Sequence, residues 1–319
     1  SPGHLIRLEK NRSYHDSHNV WFDAVNYHVL SESAEILRYR AGELDITGNV
    51  DSSYFELMKE TRPSELRVAP YLGVYYYGFN LTKPPFAGNK KLRQALSMAI
   101  DRELLVSAVT KRGEVAAYSW VPPGIENYVP QELPYKALAQ HLREAEAQKL
   151  YAEAGYGPEN PLEIELRFNT LGGHKNIAVA IQSMWHDVLG VQTKLINEEF
   201  RVLLSNIAAK EKTQVFRLSW TGDYNDPHTF LQLFESSNPN NLTGYSNSSV
   251  DGNLRLAASE GNLDFRAEFL AEAEQLALDD HPVIPLYFFV NKHMVAPDID
   301  GWESNPLDFH YSKHLRRLN

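Results

Sequence analysis

Apolar residues recur along this chain with two different periods. Leu162, Ile164, Leu166 and Phe168 alternate with Glu163, Glu165 and Arg167, the period of two that predicts a half-buried strand. Leu66, Val68, Tyr71, Leu72, Val74, Tyr75, Tyr76, Tyr77 and Phe79 crowd residues 65–80 and predict a longer strand. In it Tyr75 and Tyr77 share one face and Tyr76 takes the other. Strands are also expected at 191–196, 214–220 and 283–290, with an early apolar cluster at Leu5, Ile6 and Leu8. Helical spacing instead links Leu92, Ala95, Leu96 and Ala99. Asp101 is set to cap a second helix carrying Leu104, Leu105 and Ala108. Further helices are expected at 34–40, closed by Gly42, and at 137–154, 174–189, 199–209, 227–235 and 264–278. Strands and helices intermix throughout, so the fold class is α/β or α+β. Residues from about 75 to 287 read as one continuous domain, and the two ends are expected to combine into another.

Composition narrows the function classes. The 319 residues carry 31 Lys and Arg against 41 Asp and Glu, a net charge of −10. That balance argues against a surface built around nucleic-acid phosphates. No apolar run reaches the ~18 residues of a membrane span. The absence of cysteine excludes a disulfide scaffold, a cysteine nucleophile and thiolate metal sites. The chain opens Ser1-Pro2-Gly3-His4 with no basic-then-apolar leader, so a signal peptide is expected to have been removed or never present.

Catalytic signatures are missing: no P-loop, no GxGxxG and no HExxH occur. Gly244-Tyr245-Ser246-Asn247-Ser248 begins like a nucleophile elbow but lacks the closing glycine. His15 with His18, and His310 with His314, have spacings a metal can use, but twelve histidines generate such pairs by chance, so no metal ligand is assigned. Asp279-Asp280 reads as a solvated turn. The segment Phe216-Arg217-Leu218-Ser219-Trp220-Thr221-Gly222-Asp223-Tyr224-Asn225-Asp226-Pro227 is more informative. A strand rises to a tryptophan, breaks at Gly222, presents an aspartate and starts a helix at Pro227 with Asp226 as its cap. Asp223 at a strand end beside Trp220 is placed to receive a ligand ammonium, with the indole walling the pocket. A core tryptophan and a turn aspartate fit the pattern equally well. Arg217 shares strand parity with Ser219 and Thr221, and its fork suits a ligand carboxylate or a structural aspartate. His174 follows Gly172-Gly173 at a helix N-terminus, where a capping or surface histidine is the commoner role. Tyr76 suits a cleft or the core.

The order of several motifs resembles the periplasmic oligopeptide-binding proteins, the cluster-5 solute receptors of ABC peptide importers. The resemblance runs from Tyr75-Tyr76-Tyr77-Gly78-Phe79-Asn80 through Pro84-Pro85-Phe86, Leu92-Arg93-Gln94-Ala95-Leu96 and Ile100-Asp101-Arg102. It continues with Tyr118, Pro122-Pro123, Ala152-Glu153-Ala154-Gly155-Tyr156, Phe168-Asn169-Thr170 with His174, and the Trp220 to Pro227 motif. It closes on Ile284-Pro285-Leu286-Tyr287 and Asn305-Pro306-Leu307-Asp308. The resemblance implies α/β lobes of the periplasmic-binding-protein type (type II, cluster C), with mixed sheets flanked by helices, closing around a peptide. Residues 1–74 plus 288–319 then correspond to part of the first lobe (domain I) and 75–287 to the second (domain III). The start of domain I and the small domain II are expected to be absent.

Residue roles follow from the resemblance alone. Asp223 resembles the partner of a peptide α-ammonium and Trp220 the aromatic beside it. Ser219 and Thr221 fall where the receptor backbone adds the peptide as a strand. Arg217 and His174 resemble cationic positions for the peptide carboxylate, and Tyr76 and Asn169 pocket-lining positions. Some members join the positions of Gly73 and Thr221 by a disulfide, which this chain lacks, and carry a second basic residue near Ile207, for which Lys210 is the candidate. The implied function is peptide capture for a membrane ABC permease, by a monomer in the periplasm or anchored as a cell-surface lipoprotein, with no catalytic activity, no cofactor and no nucleic-acid partner. The rival ligands are murein peptides, nickel chelates, haem and oligosaccharides; a peptide-sensing module and a hydrolase are the rival classes.

Overall fold

The computed structural model describes residues 4–170 and 173–318; Gly172, singled out before His174, lies outside them. The chain divides into two compact units. One comprises Ser1–Tyr71, Lys111–Gly113 and Val290–Asn319, the other Leu72–Thr110 and Glu114–Phe289.

In the first unit, strands Leu5–Glu9 and Ala24–His28 pair antiparallel, and helices Glu32–Arg40 and Ser52–Thr61 follow. Ser31 accepts from the Ala34 N–H to cap the first helix, and Gly42 leaves it at φ +75°, the left-handed turn glycine supplies at least cost. The second helix was not expected from the sequence. Its polar opening is a weak helix former, but Asp51 caps it at Ser53 N–H, 2.9 Å. Phe55 and Met58, three apart, are buried with Ile36, Tyr39, Val50 and Met294, so packing decides its conformation.

The second unit is built on a six-stranded mixed sheet, in the order Val115–Ala116, Val283–Met294, Leu66–Phe79, Val215–Thr221, Glu163–Asn169, Gln192–Glu198. Leu66–Phe79 and Val215–Thr221 are antiparallel; the last three strands are mutually parallel. Both faces of the central strands are covered, which is why Leu72–Phe79 and Val283–Phe288 read as near-continuous apolar runs. On the Tyr77 face, helix His174–Leu189 brings Trp185 edge-on to that ring at 6.5 Å. On the other, Trp120 meets Tyr76 edge-on at 4.8 Å. Gly78 is required here: a Cβ would lie 2.3 Å from the Phe216 ring of the neighbouring strand. The sequence missed helix Ser248–Ser259 because Gly252 and three serines depress its propensity. Val250, Leu254 and Ala257 bury its inner face beside helix Leu263–Asp280.

The loop after Ala116 is organised by one buried side chain. Glu274, on helix Leu263–Asp280, is fully buried. Its Oε1 accepts from the Trp120 and Val121 N–H groups at 2.9 and 2.8 Å, and its Oε2 from the Gln131 N–H at 2.9 Å and the Tyr128 hydroxyl at 2.5 Å. Burial pushes this carboxyl up to about 7 against the pull of those four donors. Trp120 held in this way donates its indole N–H to Phe230 O, 2.8 Å. Substituting Glu274→Gln turns an amide NH2 towards two of the donors, and each buried donor left without an acceptor costs roughly 1–3 kcal/mol. Urea unfolding should show a loss of roughly 2–5 kcal/mol for this variant; a loss under about 0.5 kcal/mol would show that the loop is held by other means.

Candidate functional site

Strand Val215–Thr221 pairs with Leu66–Phe79 over its whole length, from Val215 opposite Phe79 to Thr221 opposite Gly73. On its other side it pairs with Glu163–Asn169 at Val215 and Phe216 only. The bonds Asn80 N–H to Gln214 O and Gly222 N–H to Leu72 O, at 2.9 and 2.8 Å, fix which residues face which neighbour. In an antiparallel ladder alternate residues point their main-chain groups to the same side. Even-numbered residues 214–222 therefore bond to the Leu66–Phe79 strand. Ser219 and Thr221 turn their N–H and C=O groups to the side where, among the described residues, strand pairing has stopped. Ser219 is half-buried and Thr221 exposed.

At the start of this open edge lies Arg217, 7% exposed. Its Nη1 donates to Asn169 Oδ1 at 3.1 Å and its Nη2 to Ser219 Oγ at 3.4 Å, and its guanidinium sits 4.3 Å above the Tyr75 ring centre. Its Nε is buried with no hydrogen-bond partner among the described residues, and no carboxylate pairs with it there. Tyr75 connects the cluster: its hydroxyl lies 3.2 Å from His174 Nδ1 and its ring stacks on Tyr287 at 4.6 Å. Burial pushes the Tyr75 hydroxyl up to about 12, with Arg217 pulling the other way. The structure thus gathers Arg217, His174, Asn169 and Ser219 around Tyr75. Sequence reasoning passed over Tyr75 in favour of Tyr76: the period of two put Tyr75 and Tyr77 on one face, but only the cross-strand register, Tyr75 opposite Ser219 and Tyr77 opposite Arg217, makes it the face of Arg217.

Beyond the strand, the two aspartates of the motif have different surroundings. Asp226 was expected to cap the following helix, but the N-cap of His228–Leu231 is Pro227; Asp226 stands one residue earlier, accepts from His228 N–H at 2.9 Å, and receives both terminal nitrogens of Arg266 at 2.8 Å each. That bidentate pair is a structural clamp. Asp223 is exposed; its backbone N–H donates to Thr229 Oγ1 at 3.2 Å, and among the described residues its carboxylate has no hydrogen bond or ion pair. Gly222, just before Asp223, is buried, and a Cβ there would lie 3.1 Å from the Thr229 methyl and 3.2 Å from the Phe230 ring.

Two other expected ligand-binding residues lie on the opposite face of the sheet. Tyr76 opposes Leu218, and Val74 opposes Trp220, so Tyr76 and Trp220 share the sheet face opposite to Arg217. Tyr76 is buried against Trp120. Trp220 is half-buried, and its Nε1 has no partner among the described residues. Lys210 ends helix Phe200–Ala209 in the left-handed region at φ +54° and donates to Asn241 O at 3.2 Å, a local structural role. Gly73 and Thr221 are direct cross-strand neighbours, and the Phe289 ring fills the space a Gly73 side chain would take.

Comparison with known proteins agrees with this arrangement of elements. Residues 1–241 match the model for bacterial extracellular solute-binding proteins, family 5 Middle. The chain is 34% identical over 307 residues to the periplasmic murein peptide-binding protein MppA of Escherichia coli (strain K12), covering 96% of this chain and 57% of that protein. It is 36% identical over 313 residues to the periplasmic oligopeptide-binding protein OppA of Salmonella typhimurium, covering 97% of this chain and 57% of the relative. The solved structure of E. coli MppA superposes with a TM-score of 0.85 at 32% identity, over 99% of this chain and 62% of that one. Haemophilus influenzae OppA in complex with RPPGFSPFR gives 0.81 at 29%, over 99% and 63%. The chain thus spans a little over half the length of these curated relatives. Its fold is that of the periplasmic peptide-binding proteins, α/β with a mixed sheet flanked by helices, and the chain belongs to the bacterial extracellular solute-binding proteins of family 5.

Proposed function

We propose that this chain supplies the peptide-gripping lobe of a receptor that captures short peptides and delivers them to a membrane ABC permease. The observation that carries the reading is the half-open strand. Among the described residues, its odd-numbered main-chain groups at Ser219 and Thr221 lack a strand partner, a buried cation without a carboxylate stands before them, and an exposed unpaired carboxylate stands after them. An extended peptide added at that edge bonds through groups every peptide has. Four residue steps along the strand carry Arg217 to Thr221 over about 13 Å, a span that suits a peptide of three to four residues with its carboxylate at Arg217 and its ammonium at Asp223. His174 and Asn169 flank the carboxylate end. The side chains of the peptide meet hydrated pockets that discriminate weakly.

In this reading residues 75–287 form the second lobe, and 1–74 with 288–319 contribute to the first. Ligand favours the closed population of the two lobes, and the receptor acts as a monomer in the periplasm or at the cell surface, binding without catalysing a reaction. Periplasmic placement is supported by the names of the relatives. Among the described residues no helix is long and apolar enough to cross a membrane. The likeness to a murein peptide-binding protein supports a second ligand of the same class, and competition between tri-alanine and a murein tripeptide for one site tells the two apart.

Substitution at the two ends of the edge tests the reading. Asp223→Ala should weaken tri-alanine binding by about tenfold to a hundredfold while leaving the urea midpoint unchanged, because the carboxylate bonds none of the described residues in the free protein. An affinity within about twofold of the parent would remove Asp223 from the site. Arg217→Met should weaken binding by at least about tenfold and hold or raise the urea midpoint, since replacing an uncompensated buried ion by an apolar side chain is commonly neutral or stabilising. A variant that unfolds more easily yet binds normally would make Arg217 a structural residue.

A further inference from the structure

A second cluster, in the first unit, has no part in the peptide reading. His293, Asp308 and His310 bring one ligand-type atom each to a common point, all within 4.8 Å of one another. His293 Nε2 lies 2.9 Å from Asp308 Oδ1 and 3.2 Å from Oδ2, and His310 Nε2 lies 2.9 Å from the same Oδ1. Sequence spacing had paired His310 with His314, but His314 turns to the Tyr311 ring instead.

The hydrogen-bond pattern makes this more than an assembly of polar groups. His293 Nδ1 is 2.9 Å from the Thr47 carbonyl oxygen in the protein interior. A carbonyl only accepts, so Nδ1 carries the proton and Nε2 is left with a lone pair aimed at a carboxylate. Two lone pairs face each other there unless a proton or a metal cation lies between them. A backbone carbonyl on the far nitrogen is also the usual outer support of a metal-bound histidine. Asp308 takes this position in the left-handed region, at φ +58°, with its N–H bonded to Asn305 O at 3.1 Å. Trp302 closes one side, stacked on His310 at 3.6 Å and 14° and 4.9 Å from His293. Ser304 and Arg67 also line the recess, the Arg67 guanidinium donating to Ser64 O at 2.6 Å.

We propose that His293 Nε2, His310 Nε2 and Asp308 form a binding site for a divalent first-row transition metal of the zinc class. Two imidazoles and a carboxylate suit such ions. Bond lengths of about 2.0–2.2 Å in a tetrahedral arrangement separate ligand atoms by about 3.3 Å, and the present separations of 2.9 Å and up to 4.8 Å bracket that spacing. Water completes the coordination on the open side. The metal here ties the end of the long strand Val283–Met294 to the segment after Asn305, a stabilising rather than a catalytic role.

The test is titration of the chain with CoCl2 and then ZnCl2, after chelator treatment. One equivalent of cobalt should give visible absorption bands and quench the fluorescence of Trp302 against its stacked ligand, and zinc should displace it. His310→Asn and Asp308→Asn, the latter a residue that tolerates the left-handed backbone, should each weaken the metal by at least about tenfold to a hundredfold. Their circular dichroism should match the parent, which separates lost ligation from lost folding. Saturation absent below about 0.1 mM metal, a free energy of only ~5.5 kcal/mol, would leave an imidazolium–carboxylate pair that takes no metal. Undiminished binding in both variants would move the ion to other histidines, such as the exposed pair His15 and His18. Either result overturns the proposal.

Discussion

A strand inside a sheet normally bonds its neighbours on both sides, and main-chain N–H and C=O groups that reach no partner are costly wherever water is excluded. Val215–Thr221 obeys that rule for two residues and then departs from it: Glu163–Asn169 diverges after Phe216, while the pairing with Leu66–Phe79 runs on to Thr221. The rest of the site is arranged around this divergence. Tyr75 and Tyr77 lie across from Ser219 and Arg217, helix His174–Leu189 begins beside them, and Gly222 with its close-packed neighbours turns the chain so that Asp223 stands clear at the far end. The ladder on one side makes the strand rigid, and the missing ladder on the other makes it available.

The buried arginines of this unit show why Arg217 differs. Arg93 spends its donors on the carbonyls of Phe86, Asp280 and His281. Arg102, wholly buried, bonds Pro285 O, Ser97 O and the Ser97 hydroxyl, with Tyr118 and Tyr135 under its plane. Arg167 is held by Glu165 and Glu198 at 2.7 and 2.6 Å. In each case the cost of removing a cation from water is offset inside the protein. Arg217 has one amide oxygen, one long contact to a hydroxyl and an aromatic face. That arrangement holds the guanidinium in place and leaves its charge without a counter-ion among the described residues.

Much of this was legible in the chain. The alternation at 162–168 and the apolar density at 65–80 gave the sheet, and the parity of Arg217, Ser219 and Thr221 gave the face. What failed did so for physical reasons. Tyr76 looked as good as Tyr75 because periodicity sorts residues into two faces without saying what covers each; only Trp120 on one side and His174 on the other decide that. The helices at Ser52–Thr61 and Ser248–Ser259 have weak propensity and are fixed by Phe55, Met58, Val250 and Leu254, whose packing is tertiary. His293 is fifteen residues from Asp308, so no local spacing pairs it with His310, whereas the spacing of His310 and His314 suggested a contact the turn does not make.

The central claim is that Ser219 and Thr221 receive a peptide main chain between a carboxylate anchor and an ammonium anchor. The most direct measurement is a two-dimensional NMR titration of the amide-labelled chain with tri-alanine, N-acetyl-tri-alanine and tri-alanine amide, a method that reads millimolar affinities. The account predicts large saturating shifts at the Ser219 and Thr221 amides, smaller ones at Leu218 and Trp220, whose amides already bond within the sheet, and affinity lost by at least about tenfold on blocking either peptide terminus. Unmoved amides at Ser219 and Thr221, or equal affinity for free and blocked peptides, would contradict it.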